Sequence, residues 1–453
     1  MVSCDERMKG KSGGGYVMAD KICSSADKVL EVFLENAPMD TSHHRMVKQQ
    51  NKCGYGLQGV CCRLCSNGPC RLSPSKPKGV CGADADTIAC RNFLRQVAAG
   101  SGCYTHVVEN TARRLKELAQ ELQAEGKKPK YKDSVAKLAK ILQINCCGNC
   151  GPDCHNSCAK TAEMIADAVL ADIRKPYDEK MTLMKNIALP KRYELWEKLG
   201  ILPGGAKDEI FNAVVKTSTN LNSDPMDMLL QCLRLGISTG NYGLILTNLM
   251  NDIIMGPPQI SMDPVGFRII DPEYINIMIT GHQQSMFADL EEKLESEIVQ
   301  KSAELVGAKG IRIVGCTCVG QDYQARSGCY KDVYCGHAGN NYTSEAVLMT
   351  GCVDLVVSEF NCTIPGIEPI CEQLDIKMLC LDDVAKKANA ELYHTQQKKK
   401  KRLQVRFSQM LYVDLRTEKK NYMDPLRQKE KSVSMSWHSM VLTNPLPVYQ
   451  KIL

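Results

Sequence analysis

Six cysteines fall between Cys53 and Cys81, in "CGYGLQGVCCRLCSNGPC" and the "GVCGAD" that follows it. Thiolates this dense, interleaved with Gly54, Gly56, Gly59, Gly68, Gly79 and Gly82, suit an iron–sulfur core, which needs four converging sulfurs and a backbone free to wrap it. Six are too many for one cluster, and adjacent side chains on extended backbone point apart. The set therefore divides into four plus two. Cys62, Cys65, Cys70 and Cys81 are candidates for one [4Fe–4S] cluster. Cys53 and Cys61 would form half a site, completed by the same pair from a second copy across a two-fold axis. A zinc knuckle with two spare thiols is the competing reading, although structural zinc favours paired C-x-x-C or Cys/His arrangements.

Two further sets stand out. In "NCCGNCGPDCHNSC", Cys147, Cys150, Cys154 and Cys158 could make another four-thiolate site, with His155 nearby, or could be loosely packed thiols where a loop meets a helix. His282, Cys318 and Cys362 are far apart in sequence, but each follows a short apolar run: "INIMITG", "IRIVGCT" and "VDLVVSEFN". If those runs are parallel strands, the three side chains gather at the carboxyl ends of one sheet, where ligands collect, and they are metal donors.

The elements that must position these residues follow from periodicity. Up to about residue 255 the chain reads as helical. "ENTARRLKELAQELQAE", for example, puts Ala112, Leu115, Leu118, Ala119 and Leu122 on one face. From 256 the apolar runs at 275–280, 311–314, 353–357 and 376–381 alternate with helical stretches such as "SMFADLEEKLESEIVQKSAELV", the pattern of βαβ units around a parallel sheet. The expected fold is thus α plus α/β: residues 1–255 a helical domain carrying the Fe–S clusters, 256–395 a Rossmann-like domain, and 396–453 a basic tail. That tail has no Gly, Ala or Cys and contains "KKKKR", so a solvated tail and a frameshift in adenine-rich codons are both readings of it.

Composition narrows the partners. With 24 cysteines, no apolar core of signal-peptide length near the N-terminus and no run of about 18 apolar residues, the expectation is metal binding in a reducing cytoplasm, without a membrane span. The net charge of +6 is lopsided. From Gln396 onward, 13 Lys and Arg face 4 Asp and Glu, which leaves the preceding 395 residues at −3, with no basic footprint for nucleic acid.

The stretches "CGYGLQGVCCRLCSNGPCRLSP…GVCGADADTIACRNFLRQVAAG", "INIMITGH", "GIRIVGCTCVGQD" and "TGCVDLVVSEFNCTIPGI" closely resemble anaerobic nickel–iron carbon monoxide dehydrogenases over residues 45 to 390. The resemblance implies that Cys53 and Cys61 bind a cluster shared within a homodimer, and that Cys62, Cys65, Cys70 and Cys81 bind the intermediate [4Fe–4S] cluster. It implies that His282, Cys318 and Cys362 are three ligands of the active Ni–Fe–S cluster, with Cys318 matching better than Cys316. The implied reaction is oxidation of CO with water to CO2, with two electrons leaving through the clusters to an external acceptor such as a ferredoxin.

Two departures accompany it. The family's further domain, with three more cysteine ligands and a catalytic lysine, has no counterpart after Cys380, so the Ni–Fe–S ligand set here is expected to be incomplete and the chain truncated or frameshifted near 396. Where the family often has spaced histidines on a proton path, this chain has Tyr104, Val107 and Asn110, with His106 displaced beside them. Tyr104 and His106 are therefore the proton-transfer candidates. A hydroxylamine reductase of the hybrid-cluster type and a non-catalytic iron–sulfur electron carrier or scaffold are the alternatives.

Overall fold

A computed structural model describes residues 39–145, 157–218, 221–260, 262–288, 290, 294–326 and 333–392. They fall into two units: 51–258, and a second that combines the segment up to Gln50 with the residues from Gln259 onward. Helix α1 (Ser42–Lys48) therefore goes with the sheet, although residues 1–255 were expected to form one domain. The cause is a buried acid. Glu345 sits in the sheet unit, fully enclosed, and takes both the Ser42 backbone N–H and the Arg45 guanidinium.

The helical unit opens with a helical turn, Gly54–Leu57, and a short antiparallel ribbon, β1 (Cys61–Cys62) and β2 (Cys70–Arg71), in which Cys62 pairs with Cys70. Then comes α2 (Ala85–Ala124), 40 residues long and so about 60 Å at 1.5 Å per residue. Its start is fixed by Asp84, whose carboxylate accepts the Thr87 N–H at 2.9 Å. Along one face it buries Val108, Ala112, Leu115 and Ala119 against α4 (Ser157–Ile173), on which α3 (Lys132–Leu142) packs in turn. Each fully enclosed leucine or isoleucine in that seam contributes about 2 kcal/mol. Nearer its start, Leu94 and Ala98 meet α5 (Ala206–Lys216) and α6 (Pro225–Ser238), where Asp224 caps and Pro225 opens the helix. A π-helical stretch, Thr239–Leu246, then leads into α7 (Thr247–Ile254). Here Gly243 lies against Tyr104 of α2; a Cβ on it would come within 2.6 Å of that of the tyrosine, so only glycine permits the approach.

The sheet unit contains β3 (Ile275–Thr280), α8 (Glu297–Leu305), β4 (Ile311–Cys316), α9 (Thr317–Arg326), β5 (Tyr334–Gly339), α10 (Ser344–Met349), β6 (Leu355–Ser358), α11 (Ile367–Gln373), β7 (Lys377–Cys380) and β8 (Glu391–Leu392). The strand order is β5-β4-β3-β6-β7-β8 and every pairing is parallel. This is the doubly wound, Rossmann-type order, which reverses direction between β3 and β6. Strands β3 and β6 are buried along their whole length, which is why they read as unbroken apolar runs. The single helix expected over 285–306 is interrupted: Ser296 is extended, and α8 starts only after it. The break lets Gln300 bond the Leu294 carbonyl at 2.7 Å and receive the Ile311 N–H at 3.0 Å, tying the helix to the start of β4.

Candidate metal centres

The first centre is built on the ribbon. Cys62, Cys65, Cys70 and Cys81 line one small recess together with Leu64, Val80 and Ile88. Cys61, next in the chain to Cys62, is not among the lining residues, as strand alternation requires. The recess wall is thiol, apolar and glycine, with one guanidinium, from Arg91, and no carboxylate. Glycine keeps one side tight: a Cβ on Gly68 would lie 3.1 Å from the Cys62 carbonyl, while Gly79 packs beside the Cys70 sulfur on another. A soft donor set in a cradle of this kind fits an iron–sulfur cluster. The Cys81 thiol is held below its ordinary pKa by the Ala83 N–H, with Arg91 adding to the effect.

Cys53 and Cys61 lie outside that recess. Cys53 is exposed and heads the helical turn Gly54–Leu57, and the N–H groups of Gly56 and Tyr55 lower its pKa. Cys61 is half-buried, and its carbonyl accepts from Asn92 at 2.9 Å.

The second centre lies at the carboxyl ends of the strands. His282 follows β3, Cys318 is the second residue of α9 just after β4, and Cys362 follows β6, so the three straddle the point where the strand order reverses. Their ligand atoms all lie within 4.8 Å of one another, and the two sulfurs are 3.4 Å apart. The backbone is bent to achieve this. Thr317 (φ 59°), Asn361 (φ 63°) and Cys362 (φ 52°) occupy the left-handed region, which is costly for a β-branched threonine, and Gly281 (φ 142°) takes a conformation open only to glycine.

Hydrogen bonds hold the bends. The Thr317 hydroxyl donates to the Gly281 carbonyl at 2.9 Å and accepts the Gly281 N–H at 2.8 Å. Glu359, 0% exposed, accepts the Gln283 N–H at 2.7 Å and packs where a Cβ on Gly281 would have to go. Burial lifts its carboxyl well above the usual range. The Cys318 thiol is pushed down to about 4, first by the hydrogen bond from Cys362 and then by His282. Cys362, as the donor of that bond, is pushed up.

Cys316, the near neighbour of Cys318 in sequence, points elsewhere. It is fully buried at the end of β4, faces the Asn340 carbonyl at 3.9 Å, and burial drives its thiol to about 12. Two side chains beside the centre carried no sequence signal beyond being single polar residues next to apolar runs. One is Glu359. The other is His337 on β5, whose charge is felt at Cys318, whose pKa is lowered by burial and whose ring fits because residue 320 is glycine.

Of the other sequence candidates, Cys147, Cys150 and Cys154 lie outside the described residues, and Cys158 is buried near the start of α4. Tyr104 and His106 are on α2 in the helical unit, and His106 contacts Asn110 at 3.1 Å.

The model of the prismane/CO dehydrogenase family matches residues 60–422. The chain belongs to that family. Among curated members, carbon monoxide dehydrogenase of Methanopyrus kandleri is 46% identical over 376 residues, covering 82% of this chain and 57% of that protein. The enzyme of Methanocaldococcus jannaschii is 43% identical over 374 residues, covering 82% and 58%. A nickel-free crystal structure of carbon monoxide dehydrogenase from Thermococcus sp. AM4 superposes with a TM-score of 0.75 at 28% identity, covering 85% of this chain and 59% of that one. The chain thus spans a little over half the length of the prismane/CO dehydrogenase family members it matches.

Proposed function

We propose that this chain takes part in oxidising carbon monoxide with water to carbon dioxide, releasing two protons and two electrons. The observation that carries the reading is the convergence of His282, Cys318 and Cys362 at the switch point of the sheet, in a family whose curated members carry that name. Two soft thiols and an imidazole are donors for nickel and iron, not for calcium or magnesium. They would form part of the shell of a nickel–iron–sulfur cluster, which when bound supplies Lewis acidity and a redox couple.

The chain's own part is positional. Thr317 and Gly281 lock the ends of β3 and β4, and Glu359 braces the backbone that carries His282. Such supports commonly matter as much as the ligands they orient. Cys62, Cys65, Cys70 and Cys81 would hold a [4Fe–4S] cluster for outgoing electrons. Cys53 and Cys61 would hold a second one with the same two cysteines of another copy, making a homodimer. A ferredoxin-like carrier is the acceptor this scheme needs, and Tyr104 and His106 are its proton-transfer candidates. The cytoplasm is the compartment that suits so many thiols.

The test is anaerobic purification followed by metal analysis and a CO-dependent viologen assay run beside a hydroxylamine assay. Nickel near one per chain, with iron and acid-labile sulfide, supports the reading. Iron without nickel would make the chain an electron carrier, and zinc alone would overturn both centres.

A further inference from the structure

We propose that Arg91 is the fixed counter-charge of the ribbon centre and sets the reduction potential of the cluster held there; the inference rests on the iron–sulfur reading of that centre. Arg91 is on the second turn of α2 and only 4% exposed. Its Nε donates to the Asn222 carbonyl at 2.8 Å, Nη2 donates to the same oxygen, and Nη1 faces the Cys81 sulfur at 4.0 Å. A carbonyl satisfies the hydrogen bonds of a guanidinium but does not neutralise it, and arginine does not give up its proton. Among the described residues Arg91 makes no ion pair with a carboxylate, and none lines the recess. Burying a charge without a partner is expensive, so the structure has to supply an anion on that side. The Cys81 sulfur, facing Nη1, is the nearest ligand atom on that side, and it would be anionic once it held the cluster.

The consequence is directional. A cluster held by four thiolates is anionic in both oxidation states and more so when reduced. A cation fixed in a low-dielectric wall therefore favours the reduced state and raises the potential, and an N–H aimed at a ligand sulfur acts in the same sense. The Asn222 carbonyl keeps the guanidinium from swinging out to water, so Arg91 is a positioned charge and not a mobile surface one. Nothing in this requires the arginine to touch substrate.

The experiment is a potentiometric titration with dithionite, followed by EPR, on the full chain loaded anaerobically with iron and sulfide. The cluster signal is assigned by its loss in Cys65→Ser. Arg91→Gln is expected to bind as much iron and sulfide as the parent and to titrate at a more negative potential, with Arg91→Lys staying near the parent value. Arg91→Gln titrating at the parent potential would overturn the proposal. Failure of Arg91→Gln to load while Arg91→Lys loads would support it, because charge is then what the site needs. Loss of the cluster from both variants would make the residue structural and overturn the tuning role. A parent chain with no Cys65-dependent cluster would overturn the reading of the centre itself, and the proposal with it.

Discussion

At the scale of single residues, two cysteines separated by one threonine have opposite fates. Cys316 is the last residue of β4 and points into the core; Thr317 then flips to positive φ, and Cys318 emerges toward Cys362. Nickel retention should follow that geometry. Cys318→Ala and Cys362→Ala are each expected to lower bound nickel about tenfold or more in anaerobically loaded protein, by metal analysis, while Cys316→Ala keeps it. Equal losses in all three would place the nickel elsewhere. Sequence spacing alone left Cys316 and Cys318 as neighbours, because no residue type announces a left-handed threonine. Glu359, His337 and Arg91 were equally illegible: a single buried charge looks like any other polar residue until its surroundings are seen.

At the scale of elements, helices and strands with a long or pure hydrophobic pattern were legible, and the exceptions have local causes. Strand β3 coincides with its apolar run because the strand is buried throughout. Strand β5, "YCGHAG", has no such run. Its glycines make room for Pro264 and Thr343, and its register against β4 shifts twice. Strand β8 is two residues long and has no pattern to read. What joins α2, α4 and α5 is partly ionic. Glu109 of α2 meets Arg113 on its own helix, Arg174 just past α4 and Lys207 of α5.

Burial opposes ionisation of Glu109, but the bonds from Arg174 and Lys207 outweigh it and bring its pKa to about 2, against an ordinary 4.5. The stabilisation is therefore complete above pH 4.5 and is lost as the pH falls to about 2. Glu109→Gln should cost about 2 kcal/mol at pH 7, discounted for the half-exposed cations, and should flatten the loss of stability between those limits. Urea denaturation at a series of pH values measures it, and an unchanged pH slope would assign the helix packing to apolar contacts alone.

At the scale of the whole chain, every cysteine among the described residues is a free thiol, several of them deep in apolar surroundings. Metal-stripped, denatured protein should titrate with a thiol reagent as 24 groups whether or not reductant was present; a shortfall without reductant would reveal disulfides. Among the described residues no helix is long and apolar enough to cross a membrane. The two centres also differ in how much of the polypeptide each one needs. The ribbon recess is made by residues from Cys62 to Cys81, next to the first turns of one helix. The other centre joins the ends of three strands, with Cys318 and Cys362 alone 44 positions apart, and parallel pairings of that span form late in folding. A chain emerging from the ribosome would therefore have the ribbon recess long before it had the strand-end centre. If the two centres hold the clusters proposed for them, iron shortage and nickel shortage would arrest maturation at different stages.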